Sequence, residues 1–200
     1  MTWTVKSCVL PLVLLSMWWL QEGAAACLCA AVHLQTAYCN ADVVIKVTVK
    51  GKTSGDFGKP TKYDVKLIKT FKGPKRSFDA IYTPSFPAAC GVTLTKGVDY
   101  LITGKLAPDG SLHITLCDFI APWKRLCKTQ KGNLLKGYKK GCDCKITRCT
   151  SLPCKISSRA ECSWTDFVMR SDNRQQAKHF ACIKRRDGSC TWYSGVASSR

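Results

Sequence analysis

Three alanines, Ala24, Ala25 and Ala26, lead directly into Cys27-Leu28-Cys29. Small residues over 23–26 make a signal-peptidase site, and the stretch before them supplies the matching parts: Lys6 as a positive n-region, and residues 9–20 as an apolar h-region too short to span a bilayer comfortably. An uncleaved membrane anchor is the alternative, and this length and these flanks argue against it. Cleavage after Ala26 makes Cys27 the first residue. Its free α-amine and its own carbonyl oxygen can then close a five-membered chelate on a metal ion. If a disulfide also pins Cys27, that chelate is rigid and can be presented to another protein.

The rest of the chain offers little chemistry of its own. His33, His113 and His179 are isolated, and neither H-E-x-x-H, G-x-S-x-G nor a paired-carboxylate cluster occurs. An enzyme is therefore not expected, and no catalytic residue is assigned. The Cys-x-Cys spacings at 27/29 and 142/144 differ from the C-x₂-C knuckle of structural zinc sites, which favours disulfides over a metal and leaves the chain with no cofactor of its own.

Cysteine usage sets the compartment. Of 14 cysteines, Cys8 leaves with the signal, and an odd number remains in the mature residues 27–200. A secreted chain this rich in cysteine is a disulfide scaffold with one thiol left over. The signal also removes Lys6 and Glu22, so the net charge stays at +18. For a secreted protein, that charge points away from nucleic acid and toward heparan sulfate or other matrix polyanions, with solubility alone as the plainer reading. Lys66, Lys69, Lys72, Lys75 and Arg76, and Lys184, Arg185 and Arg186, are the densest basic stretches. No segment after the signal approaches 18 apolar residues, so no membrane span is expected and the protein is placed in the extracellular space or matrix.

The elements that must position Cys27 are mostly strands. Over residues 43–50, Ile45, Val47 and Val49 alternate with Lys46, Thr48 and Lys50, a half-buried strand with a basic outer face. Residues 63–71 repeat the pattern after a polar hairpin loop over 51–61. Further strands are expected over 78–82, 98–105 and 111–116, the last two joined by the turn Ala107-Pro108-Asp109-Gly110. Five short strands joined by hairpins suggest a small closed barrel of the oligonucleotide/oligosaccharide-binding (OB) type. The period changes over 122–138, where Trp123, Leu126, Cys127, Leu134 and Tyr138 fall at helical spacing behind Pro122, with Gly132 weakening the middle. From Gly141 the cysteines crowd together, which predicts a smaller module held by bridges rather than by a core, ending in a hairpin that turns at Arg186-Asp187-Gly188-Ser189.

Several runs closely resemble the tissue inhibitors of metalloproteinases. In the first half these are Cys27-Leu28-Cys29, the stretch from His33-Leu34-Gln35-Thr36-Ala37-Tyr38-Cys39 to Ile45, Phe71-Lys72-Gly73, Cys90-Gly91-Val92, Tyr100-Leu101-Ile102-Thr103-Gly104 and His113-Ile114-Thr115-Leu116-Cys117. In the second half they are Gly141-Cys142-Asp143-Cys144 through Cys149, Pro153-Cys154, Glu161-Cys162, Ala181-Cys182-Ile183 and Asp187-Gly188-Ser189-Cys190 to Trp192-Tyr193. The resemblance implies a mainly β fold with some α: a five-stranded OB-like (netrin-like) barrel with flanking helices over 27–142, and a disulfide-rich module over 143–200. It further implies the pairs Cys27–Cys90, Cys29–Cys117, Cys39–Cys142, Cys144–Cys190, Cys149–Cys154 and Cys162–Cys182, leaving Cys127 unpaired, either buried or available for an intermolecular bridge.

The resemblance also implies a partner and a mechanism. Matrix metalloproteinases and related zinc endopeptidases would be the targets, and the zinc would come from the target, bound through the backbone nitrogen and oxygen of Cys27. Residues Cys27, Leu28, Cys29, Ala30 and Ala31, with Ala88, Ala89 and Cys90 and with Thr115 and Leu116, would form the inhibitory contact, and Leu28 would enter the enzyme's S1′ pocket. Two positions depart from the family pattern: Leu28 stands where Ser or Thr is usual, and Ala31 where Pro is usual. Leu28 reads either as drift at a tolerant position or as selectivity for deep apolar pockets, while Ala31 loosens the contact segment. His33, Gln35 and Thr36 read as support for the contact and the barrel, not as metal ligands. Thr115 and Leu116 are expected to alternate on the last barrel strand. The end of the chain, residues 194–200, has none of the acidic residues by which some family members dock a gelatinase proenzyme. The competing reading is a non-inhibitory barrel module that binds matrix, heparin or a receptor.

Overall fold

The computed structural model describes residues 27–56, 58–169 and 175–195; the signal sequence expected over 1–26 and the tail from 196 lie outside them. Strands β1 (Val43–Thr53), β2 (Thr61–Lys72), β3 (Ala80–Thr83), β4 (Asp99–Leu106) and β5 (Leu112–His113) pair in the order β1-β2-β3-β5-β4, and β4 returns to β1, closing a five-stranded barrel. All pairings around it are antiparallel except β3 with β5. A short β6 (Ile120–Pro122) extends the sheet beyond β4. The expected mainly β, OB-like barrel is therefore the observed one. Alternation along β1 sends Ile45, Val47 and Val49 inward, where they meet Tyr63, Ile81, Ile102, Leu112 and Ile114 in one apolar core. On the outer face, Lys46 reaches Asp99 at 3.1 Å and the Thr48 hydroxyl donates to the same carboxylate at 2.7 Å.

Val44 and Leu101 point the other way and are fully buried, because a second apolar layer covers that wall of the barrel. It is built from α1 (Leu34–Asn40), α2 (Lys128–Asn133) and α3 (Gly137–Lys140), with Leu34, Tyr38, Leu126, Leu134, Tyr138 and Ala181 in contact. The stretch over 122–138, expected as a single helix, is instead divided. Pro122 ends β6, Trp123–Arg125 make one 3₁₀ turn, and Leu126 is extended before α2 begins. Cys127 interrupts the helix because it caps α2: its sulfur accepts from the Gln130 N–H while the Gln130 side chain accepts from the Cys127 N–H. The helical spacing of Leu126, Leu134 and Tyr138 still buries all three, through separate turns. The barrel strands also differ at their ends from the sequence pattern. β1 and β2 run to Thr53 and from Thr61, which shortens the loop between them, and β5 stops at His113, which leaves Thr115 and Leu116 outside any strand.

Beyond Gly141 the chain forms a parallel pair, β7 (Lys145–Arg148) with β8 (Glu161–Trp164), then α4 (Gln175–His179) and an antiparallel hairpin of β9 (Phe180–Lys184) and β10 (Cys190–Ser194). The hairpin closes where the Arg185 N–H donates to Ser189 O at 2.7 Å. Its interior is largely cystine: Cys144, Cys162 and Cys182 are buried together with Ile146, Cys190 and Trp192 packed on them. The Glu161 carboxylate is held down at about 2 by hydroxyls of Ser157 and Thr147, which donate to it at 2.5 and 2.9 Å.

Gln35, on α1, ties this module to the barrel. Its amide nitrogen donates to Gly141 O at 2.9 Å and Cys182 O at 2.7 Å, and its oxygen accepts from Cys182 N–H at 2.8 Å, so the side chain pairs with β9 as a neighbouring strand would. Gly141 permits the approach, since a Cβ there would lie 2.1 Å from Cys182 O. His33 completes the joint as the N-cap of α1. Nδ1 accepts from Gln35 N–H at 3.1 Å, so Nε2 is the donor to Gln176 O at 3.2 Å, and the ring packs edge-on to Trp164 at 5.4 Å.

Burial lowers the His33 pKa to about 4, outweighing the opposing influence of its Gln176 hydrogen bond and of Asp166. The folded state thus binds this proton less readily than the unfolded chain, whose histidine titrates near 6.5. Stability is complete above pH 6.5, falls as the pH drops toward 4, and loses nothing further from this group below that. The full effect is about 3 kcal/mol. Denaturant midpoints at pH 7 and pH 4.5 should show this drop in the wild type and a clearly smaller one in His33→Asn, which keeps an N-cap acceptor. At the other cap, Cys127→Ala should cost about 1 kcal/mol in the same assay while Cys127→Ser stays close to wild type.

Candidate functional site

Residues 27–32 form no regular structure and leave the body of the protein ahead of the His33 cap. Two disulfides hold them, Cys27–Cys90 and Cys29–Cys117, with Sγ of Cys27 and Cys29 only 3.6 Å apart. Among the described residues four further disulfides form, Cys39–Cys142, Cys144–Cys190, Cys149–Cys154 and Cys162–Cys182, and Cys127 is a free, half-buried thiol. The sulfurs of Cys27, Cys29, Cys90 and Cys117 all lie within 4.8 Å of one another, but each is spent in a disulfide and none is a thiolate ligand. The atoms left for a metal at Cys27 are its backbone nitrogen and oxygen.

The first loop that receives this segment is built on β3. Thr83 Oγ1 accepts from Val92 N–H at 3.0 Å, closing the loop at its base. Tyr63 reaches through the barrel core and fixes the same stretch twice: its hydroxyl donates to Val92 O at 3.1 Å and accepts from Leu94 N–H at 3.1 Å. Within the loop Pro87–Ala89 form a 3₁₀ turn, and the chain reverses through Cys90 at φ 65°, a left-handed conformation uncommon outside glycine. Gly91 must follow, because a Cβ there would lie 2.3 Å from Pro84 O. Ala88 and Ala89 are consequently exposed beside Cys90.

The second loop follows β5. Thr115 and Leu116, expected on a strand, sit instead in a tight turn held by Asp118, whose Oδ2 accepts from Thr115 N–H at 2.8 Å and from its hydroxyl at 3.1 Å. The reason is local. A Thr-x-x-Asp sequence offers the backbone a side-chain partner that competes with the ladder. Burial raises the Asp118 pKa despite these donors. The Leu116 N–H donates to Cys90 O at 2.9 Å and so joins the two loops directly. Thr115 is half-buried, whereas Leu116 is 50% exposed.

The three segments make one projecting edge, covalently fixed at two points and hydrogen-bonded at a third. Leu28 stands out from it at 95% exposure, flanked by exposed Ala30 and Ala31, with Phe86 exposed on the adjoining loop. The edge thus presents clustered apolar surface, of the kind that can serve as a protein contact. All ten residues singled out as a contact in the sequence belong to the three segments. His33, Gln35 and Thr36 lie behind them, the first two buried in the joint described above. Sequence reasoning passed over Asp118 and the role of Tyr63. The Thr-x-x-Asp spacing could have exposed the first, but nothing local marks Tyr63, which reads as one more strand residue.

The family model described as "Tissue inhibitor of metalloproteinase" matches residues 25–192. The chain is 52% identical over 205 residues to metalloproteinase inhibitor 2 of Cavia porcellus, spanning 97% of this chain and 93% of that one. It is 52% identical over 199 residues to the Homo sapiens protein of that name, covering 94% and 90%, and 50% identical over 185 residues to that of Gallus gallus, covering 87% and 84%. With most of its length matched in this way, the chain belongs to the tissue inhibitor of metalloproteinase family.

Proposed function

We propose that this protein is a secreted inhibitor of matrix metalloproteinases and related zinc endopeptidases, not an enzyme, and that the edge built around Cys27 is its inhibitory surface. One observation carries the reading: Cys27 is tethered to Cys90 while Leu28, the next residue, projects almost fully into solvent. The names of the relatives agree with it. Residues 1–26 would be the secretory signal, residues 27–142 the inhibitory domain and residues 143–200 a second domain. Among the described residues no helix is long and apolar enough to cross a membrane.

The target's zinc supplies an open coordination position that normally holds the attacking water. Once the signal is removed, the α-amine and carbonyl oxygen of Cys27 would reach that open region together as a five-membered chelate and exclude the water. The amine binds unprotonated. With a reference pKa near 8, that costs about 1 kcal/mol at neutral pH. The Leu28 side chain fills the S1′ pocket as a substrate residue would, and Ala88, Ala89 and Leu116 pack alongside. The two disulfides and the Leu116–Cys90 hydrogen bond hold this arrangement before the enzyme arrives, which lowers the ordering cost of association. The exposed basic stretches, among them Lys66, Lys75 and Arg76, would retain the protein on heparan sulfate or similar matrix polyanions.

Two experiments test the mechanism. Adding one alanine before Cys27 removes the α-amine from the chelate without touching the fold; inhibition should weaken about a hundredfold or more, a loss of roughly 3 kcal/mol. Undiminished inhibition by a protein whose extra residue is verified by mass spectrometry would refute the chelate. Leu28→Thr tests the pocket. Burial of a leucine is worth roughly 1.5–3 kcal/mol, so the variant should lose most against enzymes with deep apolar S1′ pockets and least against shallow ones. An unchanged rank order across such a panel would leave Leu28 without a role in selectivity.

A further inference from the structure

On the barrel wall formed by β1 and β2, next to the 3₁₀ turn that follows β6, lies a concave well of about 410 Å³, within the size range of ligand sites. None of the residues lining it belongs to the edge around Cys27. Phe71 and Trp123 stack at 5.9 Å and 18° within the well, and Ile68 and Leu135 bound it at 45% and 56% exposure. Three ammonium groups lie against these rings: Lys46 and Lys131 at 4.9 and 5.2 Å from the Trp123 centroid, and Lys69 at 5.6 Å from that of Phe71. Lys46 is neutralised by Asp99, but among the described residues no carboxylate lies within salt-bridge distance of Lys69 or Lys131.

An apolar floor inside a cationic rim selects a ligand with the opposite layout, an apolar group at its centre and negative charge around it. A sulfated polysaccharide satisfies the lysines but leaves Ile68 and Leu135 in water. A second copy of this chain brings +18 against an already cationic rim. We infer that the well is a docking site for an acidic segment of a partner protein, in which an aromatic or branched apolar side chain flanked by Asp or Glu enters between Trp123 and Leu135 and its carboxylates meet Lys69 and Lys131. Because the well shares no residue with the Cys27 edge, the partner and a protease would use different surfaces.

The test uses the mature protein and a fluorescein-labelled peptide, Glu-Asp-Glu-Phe-Leu-Glu-Asp-Glu, followed by anisotropy at 0.15 M salt. The wild type should bind it about tenfold more tightly than the peptide with Ser-Ser in place of Phe-Leu. Leu135→Asp and Lys131→Glu should each weaken binding by about fivefold or more. Both residues are at least partly exposed, and circular dichroism checks that each variant keeps its fold. Absence of binding by the wild type, or binding indifferent to both substitutions, would overturn the assignment. It would equally fall if a heparin hexasaccharide, or vesicles of anionic lipid, bound through Lys69 and Lys131 with no contribution from Leu135, since the well would then serve charge alone.

Discussion

The buried side-chain amide of Gln35, with His33 beside it, is the constraint on which the register of the two halves of this molecule depends. It satisfies the backbone of β9 at Cys182 in both directions and Gly141 as well, at a place fully closed to water. An unpaired amide at such a position would cost a few kcal/mol, so the geometry of the joint is set by the need to complete these hydrogen bonds. Much else follows. β9 is drawn against the helices, Ala181 fills the apolar layer over the barrel, and His33, two residues earlier at the N-cap of the same helix, is sealed under Trp164 and Trp192. The segment that leaves His33 toward Cys27 therefore starts from a fixed point.

From that point the architecture delivers rigidity outward. The barrel contributes through Tyr63, whose hydroxyl is buried in the core yet bonded to the loop carrying Cys90. The turn at Asp118 does the same for the loop carrying Cys117. Six residues without regular structure are thereby held by cross-links and by neighbours rather than by a ladder of their own. Position and chemistry are divided: a buried tyrosine and a half-buried aspartate and glycine do the placing, and small or apolar residues are left to make contact.

Much of this was legible in the residues. Period-two alternation located β1 and β2 because one side of each faces the apolar core, and the crowding of cysteines after Gly141 correctly announced a module with a cystine interior. The failures share a cause. The stretch over 122–138 carries helical spacing, but a cysteine cap and an extended Leu126 divide it, and periodicity reports which residues are buried without reporting how many turns bury them. Thr115 and Leu116 look like a strand continuing from β5 until the Asp118 carboxylate is seen to take the backbone donor. Gln35 and Tyr63 act across 147 and about 30 residues respectively, distances over which local pattern carries no information.

The cystine interior of the C-terminal module also grades the molecule by redox environment. The barrel keeps an apolar core of aliphatic and aromatic side chains when its disulfides are opened, because none of those core residues is a cysteine. The C-terminal module has less to fall back on, because the centre of its own cluster is Cys144, Cys162 and Cys182 themselves, and its other buried apolar groups, Trp164 and Ala181, lie against His33 and the layer over the barrel. A reducing medium thus weakens one half from within more than the other, which keeps a hydrophobic reason to stay folded. The Gln35 joint to β9 would then carry more of the load, since its hydrogen bonds involve no sulfur.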